Sequence, residues 1–335
     1  MILLGSVAAD PGPARRTRPN STSGRAQVFV AARLVLAASL GRRLADRVGD
    51  PAGFAVALRQ AMGELADPDC RAGQQFVAPG IGATHGVRGP LLRGLSRGFR
   101  GATRSDSPDT LLLMADRLLR EPELEARLFA FDILARTLPR ERERTWQIMR
   151  LASREAADWI TVDTLAHTVA SGILTEPYRW AELEQLVYAP SRWERRLVGS
   201  TIAAIPFANR SAGRTPDVAR RGLELLTLLI GDAEPDVQKA ISWAYRSMAI
   251  VDIGATTAAL DAQATRAAAT NDGHRAWVIR DSLAKIDPGA ADRIRSRLEG
   301  IRRRSAAPAT SEAAGIAARF ADLGLGRSLP EPPLS

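Results

Sequence analysis

Apolar residues along this chain recur every three or four positions, the spacing of helices that turn one face inward. The pattern predicts helices over 25–48, 51–66, 108–120, 122–138, 140–151, 154–174, 179–188, 191–206, 216–230, 235–249, 256–268, 272–286 and 289–304. No stretch alternates apolar and polar residues for long enough to predict a strand. The breaks carry matching punctuation. Asp106-Ser107-Pro108 reads as a cap with proline entering the first turn, Pro122 and Pro139 open later helices, and Gly231-Asp232 closes another. Residues 72–104 are the exception, being rich in Gly and Arg, although Val87 to Phe99 reads as a helix weakened by glycine.

From residue 106 the helices pair off, and the second helices of successive pairs begin near 160, 193, 236 and 272. A period of roughly 33 to 43 residues is that of HEAT-like two-helix repeats, which stack into a curved solenoid with a concave binding face. The fold class expected is all-α, a HEAT-like helical-repeat solenoid. Residues 1–23 hold Pro11, Pro13 and Pro19 without periodicity and read as a disordered N-terminal tail. Residues 24–304 read as one solenoid domain, and 305–335 as a mostly flexible tail with a short helix near Glu312 to Leu323.

Composition narrows the partners. The 335 residues are 45% hydrophobic, ample for a core, and only 5% aromatic, which suits helices better than sheets. The formal charge is +9 and the pI about 10.8, with Lys239 and Lys285 the only lysines among many arginines. Such a surface suits a polyanion, because each neutralised phosphate releases counterions. A single cysteine, Cys70, excludes an internal disulfide framework and a cysteine-rich zinc site. His85, His167 and His274 lack metal-ligand spacing, so no metal and no cofactor is expected. The apolar start Met1–Leu4 is too short for a signal peptide, and Ala26–Leu40 contains Arg33 and falls short of a membrane span. A cytoplasmic protein without a membrane partner is expected.

Three segments carry candidate chemistry. Trp159 and Asp163 stand at i and i+4 in one predicted helix, so an indole and a carboxylate share a face. Trp193-Glu194-Arg195-Arg196 opens the next repeat, and Gln238-Lys239-Ala240-Ile241-Ser242-Trp243 follows in the one after. Taken singly, each has a plain explanation: a core tryptophan, an ion-paired aspartate, a solvated basic face. Together they fall in order on the second helices of successive pairs, which a solenoid would bring to one inner surface.

The three segments resemble the AlkD-type DNA alkylation repair glycosylases. The W-x-x-V-D motif of that family matches Trp159, Val162 and Asp163, its W-x-x-R stretch matches Trp193 to Arg196, and its Q-K-A-I-x-W motif matches Gln238 to Trp243. The resemblance covers about residues 70–290. It implies hydrolysis of the N-glycosidic bond of N3- or N7-alkylated purines in double-stranded DNA, with catalytic roles for Asp163, Trp159, Trp243 and Arg196 and a concave DNA-binding face. Arg154, Arg192, Arg195, Lys239, Arg246 and Arg280 are the expected DNA contacts, and a monomer, nucleoid-associated when bound, is expected. One departure is visible. A tyrosine that closes the cleft in the family precedes a segment resembling Phe76 to Ile81, but here Arg71 stands near its place. That change leaves open a glycosylase for bulky alkyl-adenine adducts, serving self-resistance to a DNA-alkylating metabolite. A non-catalytic HEAT-like scaffold that binds DNA is the remaining alternative.

Overall fold

The computed structural model describes residues 22–304 and 306–322. Of the expected tails, residues 1–21, 305 and 323–335 lie outside the described residues. Among those described, the regular structure is seventeen α-helices with short 3-10 turns, and no strand beyond one isolated bridge between Ala83 and Glu123. The chain divides into two compact units, Met1–Thr168 and Val169–Ser335. The residues expected to form one domain, 24–304, are distributed over both.

The first unit contains α1 (Thr22–Ala31), α2 (Leu34–Leu44), α3 (Pro51–Glu64), α4 (Pro68–Val77), α5 (Gly89–Ala102), α6 (Pro108–Leu119), α7 (Leu124–Thr137), α8 (Arg142–Glu155) and the start of α9 (Trp159–Thr175). The second contains the end of α9, then α10 (Trp180–Gln185), α11 (Arg192–Ala208), α12 (Pro216–Leu229), α13 (Pro235–Val251), α14 (Ile253–Thr270), α15 (Gly273–Ser282), α16 (Pro288–Arg297) and α17 (Glu312–Asp322). One local rule starts five of them. Asp50-Pro51, Asp67-Pro68, Ser107-Pro108, Thr215-Pro216 and Asp287-Pro288 each place a capping oxygen on a first-turn amide, with proline where its missing N–H costs nothing.

In the first unit α2 lies against α5 at glycine-limited distance. A Cβ on Gly98 would stand 2.1 Å from Ala38 O, so only glycine admits that approach. Phe54, Phe99 and Phe129, from α3, α5 and α7, meet with ring centroids 5.3–6.1 Å apart and fill the core between them. In the second unit α11, α13 and α15 pack in succession as one layer, and α12, α14 and α16 as the other. This is the two-helix repeat that the period predicted.

Several boundaries differ from expectation. The helix expected over 25–48 breaks at Ala32-Arg33, where the Arg33 guanidinium stacks 3.9 Å above Phe29. The Gly-rich stretch holds two helices, α4 and α5. Between them a loop closes on Glu125, whose buried carboxylate accepts bonds from the amides of His85, Gly86 and Val87 and from Thr84 Oγ1. Gly86 takes φ +77° there, and a Cβ would meet the Arg71 amide nitrogen at 2.5 Å. No described helix is long and apolar enough to cross a membrane.

Candidate functional site

Asp158 decides where α9 begins. Its buried carboxylate accepts a bond from the Thr161 amide at 2.8 Å and another from Thr161 Oγ1, filling a donor that every helix N-terminus leaves open. Arg127 of α7 approaches it to 3.7 Å and also donates to Ile81 O. The sequence placed a helix over 154–174. The structure ends α8 at Glu155 and starts α9 at Trp159, so exposed Arg154 belongs to the preceding helix and Trp159 to the first turn of α9.

Trp159, Asp163 and His167 follow at i, i+4 and i+8 and are all half-exposed on one side of α9. Val162 and Ala166 of the same helix are buried in the core. Burial holds the His167 imidazole below its ordinary titration range, with the nearby Asp163 charge opposing the shift. This face therefore presents an indole, an aspartate side chain and an imidazole that is neutral at pH 7.

A strap from α4 fixes the start of that face. The Trp159 indole Nε1 donates to Val77 O at 3.0 Å. Three residues further on, a Cβ on Gly80 would stand 2.7 Å from Ala157 O, so the 3-10 turn Pro79–Ile81 lies directly on the approach to α9. The orientation of the indole is set by a main-chain acceptor 82 residues away in sequence.

The second unit presents the other expected residues. Arg196 is buried on α11, and its NH1 donates to Asp236 O at 2.6 Å at the start of α13. Lys239, Trp243 and Arg246 project from one side of α13 at spacings of four and three, Lys239 exposed and the other two half-exposed. The remainder of the Gln238–Trp243 segment is structural. Gln238 is wholly buried, donates to Asp232 O at 2.6 Å, and lies 3.0 Å from His274 Nδ1. Ala240 and Ile241 receive Gly199 of α11, where a Cβ would sit 2.9–3.0 Å from α13 backbone.

Four of the expected DNA contacts have uses within the protein that the sequence reading did not foresee. Arg195 bonds Asp232 at 2.7 Å and the carbonyls of Ala189 and Pro190 at 2.9 and 2.8 Å. Arg280 donates to Leu298 O and Ile301 O, both at 2.6 Å. Arg246 bonds the Asp281 carboxylate at 2.7 Å, and Arg192 covers the Trp193 ring at 4.8 Å and faces Glu234 at 3.4 Å.

Two features went unnoticed in the sequence. Asp281 of α15 accepts from Ser242 Oγ at 2.6 Å, beside Trp243. Burial pushes its carboxyl upward, but the bonds from Ser242 and Arg246 and the charges of Arg246 and Lys239 outweigh it and hold it below the usual range. In the first unit Arg93, Arg97 and Arg100 share the exposed side of α5, and exposed Arg104 follows in the next turn of chain. Their spacings of four, three and four were legible in the sequence. Arg136 and Arg140 of the α7 end reach the same neighbourhood, bonding Thr103 and Asp106 O.

The family model of the DNA alkylation repair enzymes matches residues 58–286, more than half of the chain and both units in part. No curated protein matches the sequence.

Proposed function

The chain belongs to the DNA alkylation repair enzyme family, and from that premise we propose that it is a DNA glycosylase acting on N3- and N7-alkylated purines in duplex DNA. The observation that carries the proposal is the half-exposed pair Trp159 and Asp163, held at i and i+4 on a helix whose start is fixed by Asp158 and Val77. Alkylation at N3 or N7 leaves the base cationic, so the C1′–N bond breaks with its electron pair returning to a base that departs neutral. No general acid is required. The sugar left behind is positive, and water adds its oxygen to C1′ and gives up a proton.

Asp163 is assigned the stabilisation of that cationic sugar and the holding of the water. Fixed charge aimed at developing charge is usually the largest catalytic contribution. Trp159 and Trp243 are assigned to the deoxyribose, where an indole face supports a cation by about 0.5–2 kcal/mol. Arg196 is assigned to a phosphate of the damaged strand, a positioning contact without sequence information. Lys239, Arg154 and the α5 arginines supply further phosphate contacts, and the enzyme acts as a monomer in the cytoplasm.

The test is single-turnover excision from an oligonucleotide duplex carrying one 7-methylguanine, with abasic sites cleaved by alkali. Asp163→Asn is expected to slow excision by about 10²–10³-fold, while affinity for the duplex persists. Wild-type rates in that variant would remove the assignment of Asp163. A wild-type protein that binds the duplex but excises neither 7-methylguanine nor 3-methyladenine would leave the non-catalytic scaffold standing.

A further inference from the structure

Phe76 is 86% exposed, the most exposed large apolar side chain among the described residues, and its neighbour Val77 is 54% exposed. A phenyl ring left in water forfeits the stabilisation that burial would give. The ring is nonetheless on a firmly anchored element. Asp67 caps α4 and pairs with Arg88, Gln74 accepts from Thr84 Oγ1 at 2.7 Å, and Val77 O receives the Trp159 indole at 3.0 Å. The 3-10 turn that follows is pressed on Ala157 through Gly80. Phe76 is therefore presented by rigid backbone, within one residue of the group that holds Trp159.

Its surroundings identify the occupant. Arg71 and Gln75 are exposed at i and i+4 on the same helix, and Gln75 adjoins Phe76 in the chain. A cation, an amide and a bare aromatic ring on one short helix match the pairing of phosphate contact and base stacking that nucleic-acid surfaces use. We infer that Phe76 is a DNA-contacting residue whose ring stacks on a base exposed beside the lesion, with Arg71 and Gln75 on the adjoining phosphates. The inference rests on the glycosylase reading for its ligand but not for its chemistry. It gives α4 a role in recognising damaged DNA, separate from the bond breaking assigned to α9.

The experiment compares wild type with Phe76→Ala, Phe76→Leu and Phe76→Trp. Affinity is measured by fluorescence anisotropy for an undamaged duplex and for one with a tetrahydrofuran abasic analogue. Excision of 7-methylguanine is followed on the same proteins, and sedimentation gives their oligomeric state. Phe76→Ala is expected to weaken binding of the abasic-analogue duplex about tenfold, the scale of one base–aromatic stack, with little change for undamaged DNA. Phe76→Trp should restore affinity and Phe76→Leu should not, because leucine keeps apolar area without a π-face. Wild-type affinity in Phe76→Ala overturns the inference, as does full rescue by leucine. A wild-type dimer that Phe76→Ala dissociates also overturns it, since the ring then covers a second copy. If the wild type excises and Phe76→Ala binds normally, only this inference fails. If the wild type never excises but Phe76→Ala loses lesion affinity, the contact stands and the glycosylase reading falls.

Discussion

His167 lies one turn beyond Asp163, and the protein keeps its imidazole neutral by burying it even though the neighbouring carboxylate favours the charged form. The consequence for stability has a definite sign. An imidazole whose folded pKa lies below its unfolded value of about 6.5 binds more protons when unfolded, so stability rises with pH through that window. The contribution is fully present above pH ~6.5 and is lost as pH falls toward the folded value. His167→Gln removes the titration, so its melting temperature should decline less than that of wild type between pH 7.5 and 5. Parallel curves for the two proteins would show that His167 does not titrate differently on folding. At this scale the sequence was informative about spacing and silent about partners. The i, i+4 relation of Trp159 and Asp163 could be read directly from the order of residues. The bonds that take Arg195 to Asp232 and Arg280 to Leu298 could not, because those acceptors lie 37 and 18 residues away and are brought close only by packing. An arginine's charge is visible in a sequence, whereas its donors' destinations are not.

Among elements, periodicity located nearly every helix but not the joints between them. The break between α8 and α9 rests on one buried cap, Asp158, inside a run whose apolar pattern would allow a continuous helix. Similarly, α4 was missed and α5 was read only as a helix weakened by glycine, and two glycines of that stretch have tertiary reasons. Gly98 makes room for α2, and Gly86 lets its loop wrap the Glu125 carboxylate. The same argument makes Gly199 informative. A Cβ there would stand 2.9 Å from Ala240 carbonyl carbon and 3.0 Å from Ile241 nitrogen, both backbone atoms that cannot rotate away. Gly199→Ala should force α11 from α13 and cost about 1–3 kcal/mol, the scale of overpacking a closed core. Urea denaturation would measure it, and an unchanged midpoint would mean the helices separate without strain. Arg196 and Trp243 ride on these two helices, so excision should fall in the same variant at temperatures where it remains folded. The Gln238–Ile241 part of the third segment thus identifies a close helix contact, which is why so specific a pattern contains one solvent-accessible indole and several residues no substrate can touch.

For the molecule as a whole, the sequence made the excess of positive charge plain and left its distribution unspecified. Much of the arginine is neutralised locally: Arg59 pairs with Glu121 and Glu123, Arg220 with Asp217 and Glu224, and buried Arg275 with Asp272. What matters for DNA is the charge that remains concentrated on one side. The α5 stripe is such a place, because exposed Arg97 and Arg100 share a helix face and exposed Arg104 extends it, with Asp132 the carboxylate bonded to Arg100. Crowding there is physical. Burial foremost, and then the charges of Arg140 and Arg100, hold the Arg136 guanidinium below its ordinary pKa. Bringing a phosphate to such a cluster relieves repulsion and releases a counterion, so each contact adds about 0.9 to the slope of log affinity against log salt. Arg97→Gln combined with Arg104→Gln should therefore flatten that slope by about 1.8 on duplex DNA. The loss should be equal for damaged and undamaged sequence, because phosphate contacts position without discriminating. Anisotropy titrations across a range of salt concentrations measure it. An unaltered slope would place the α5 stripe off the DNA path, and a loss confined to damaged duplex would make these arginines part of lesion recognition instead.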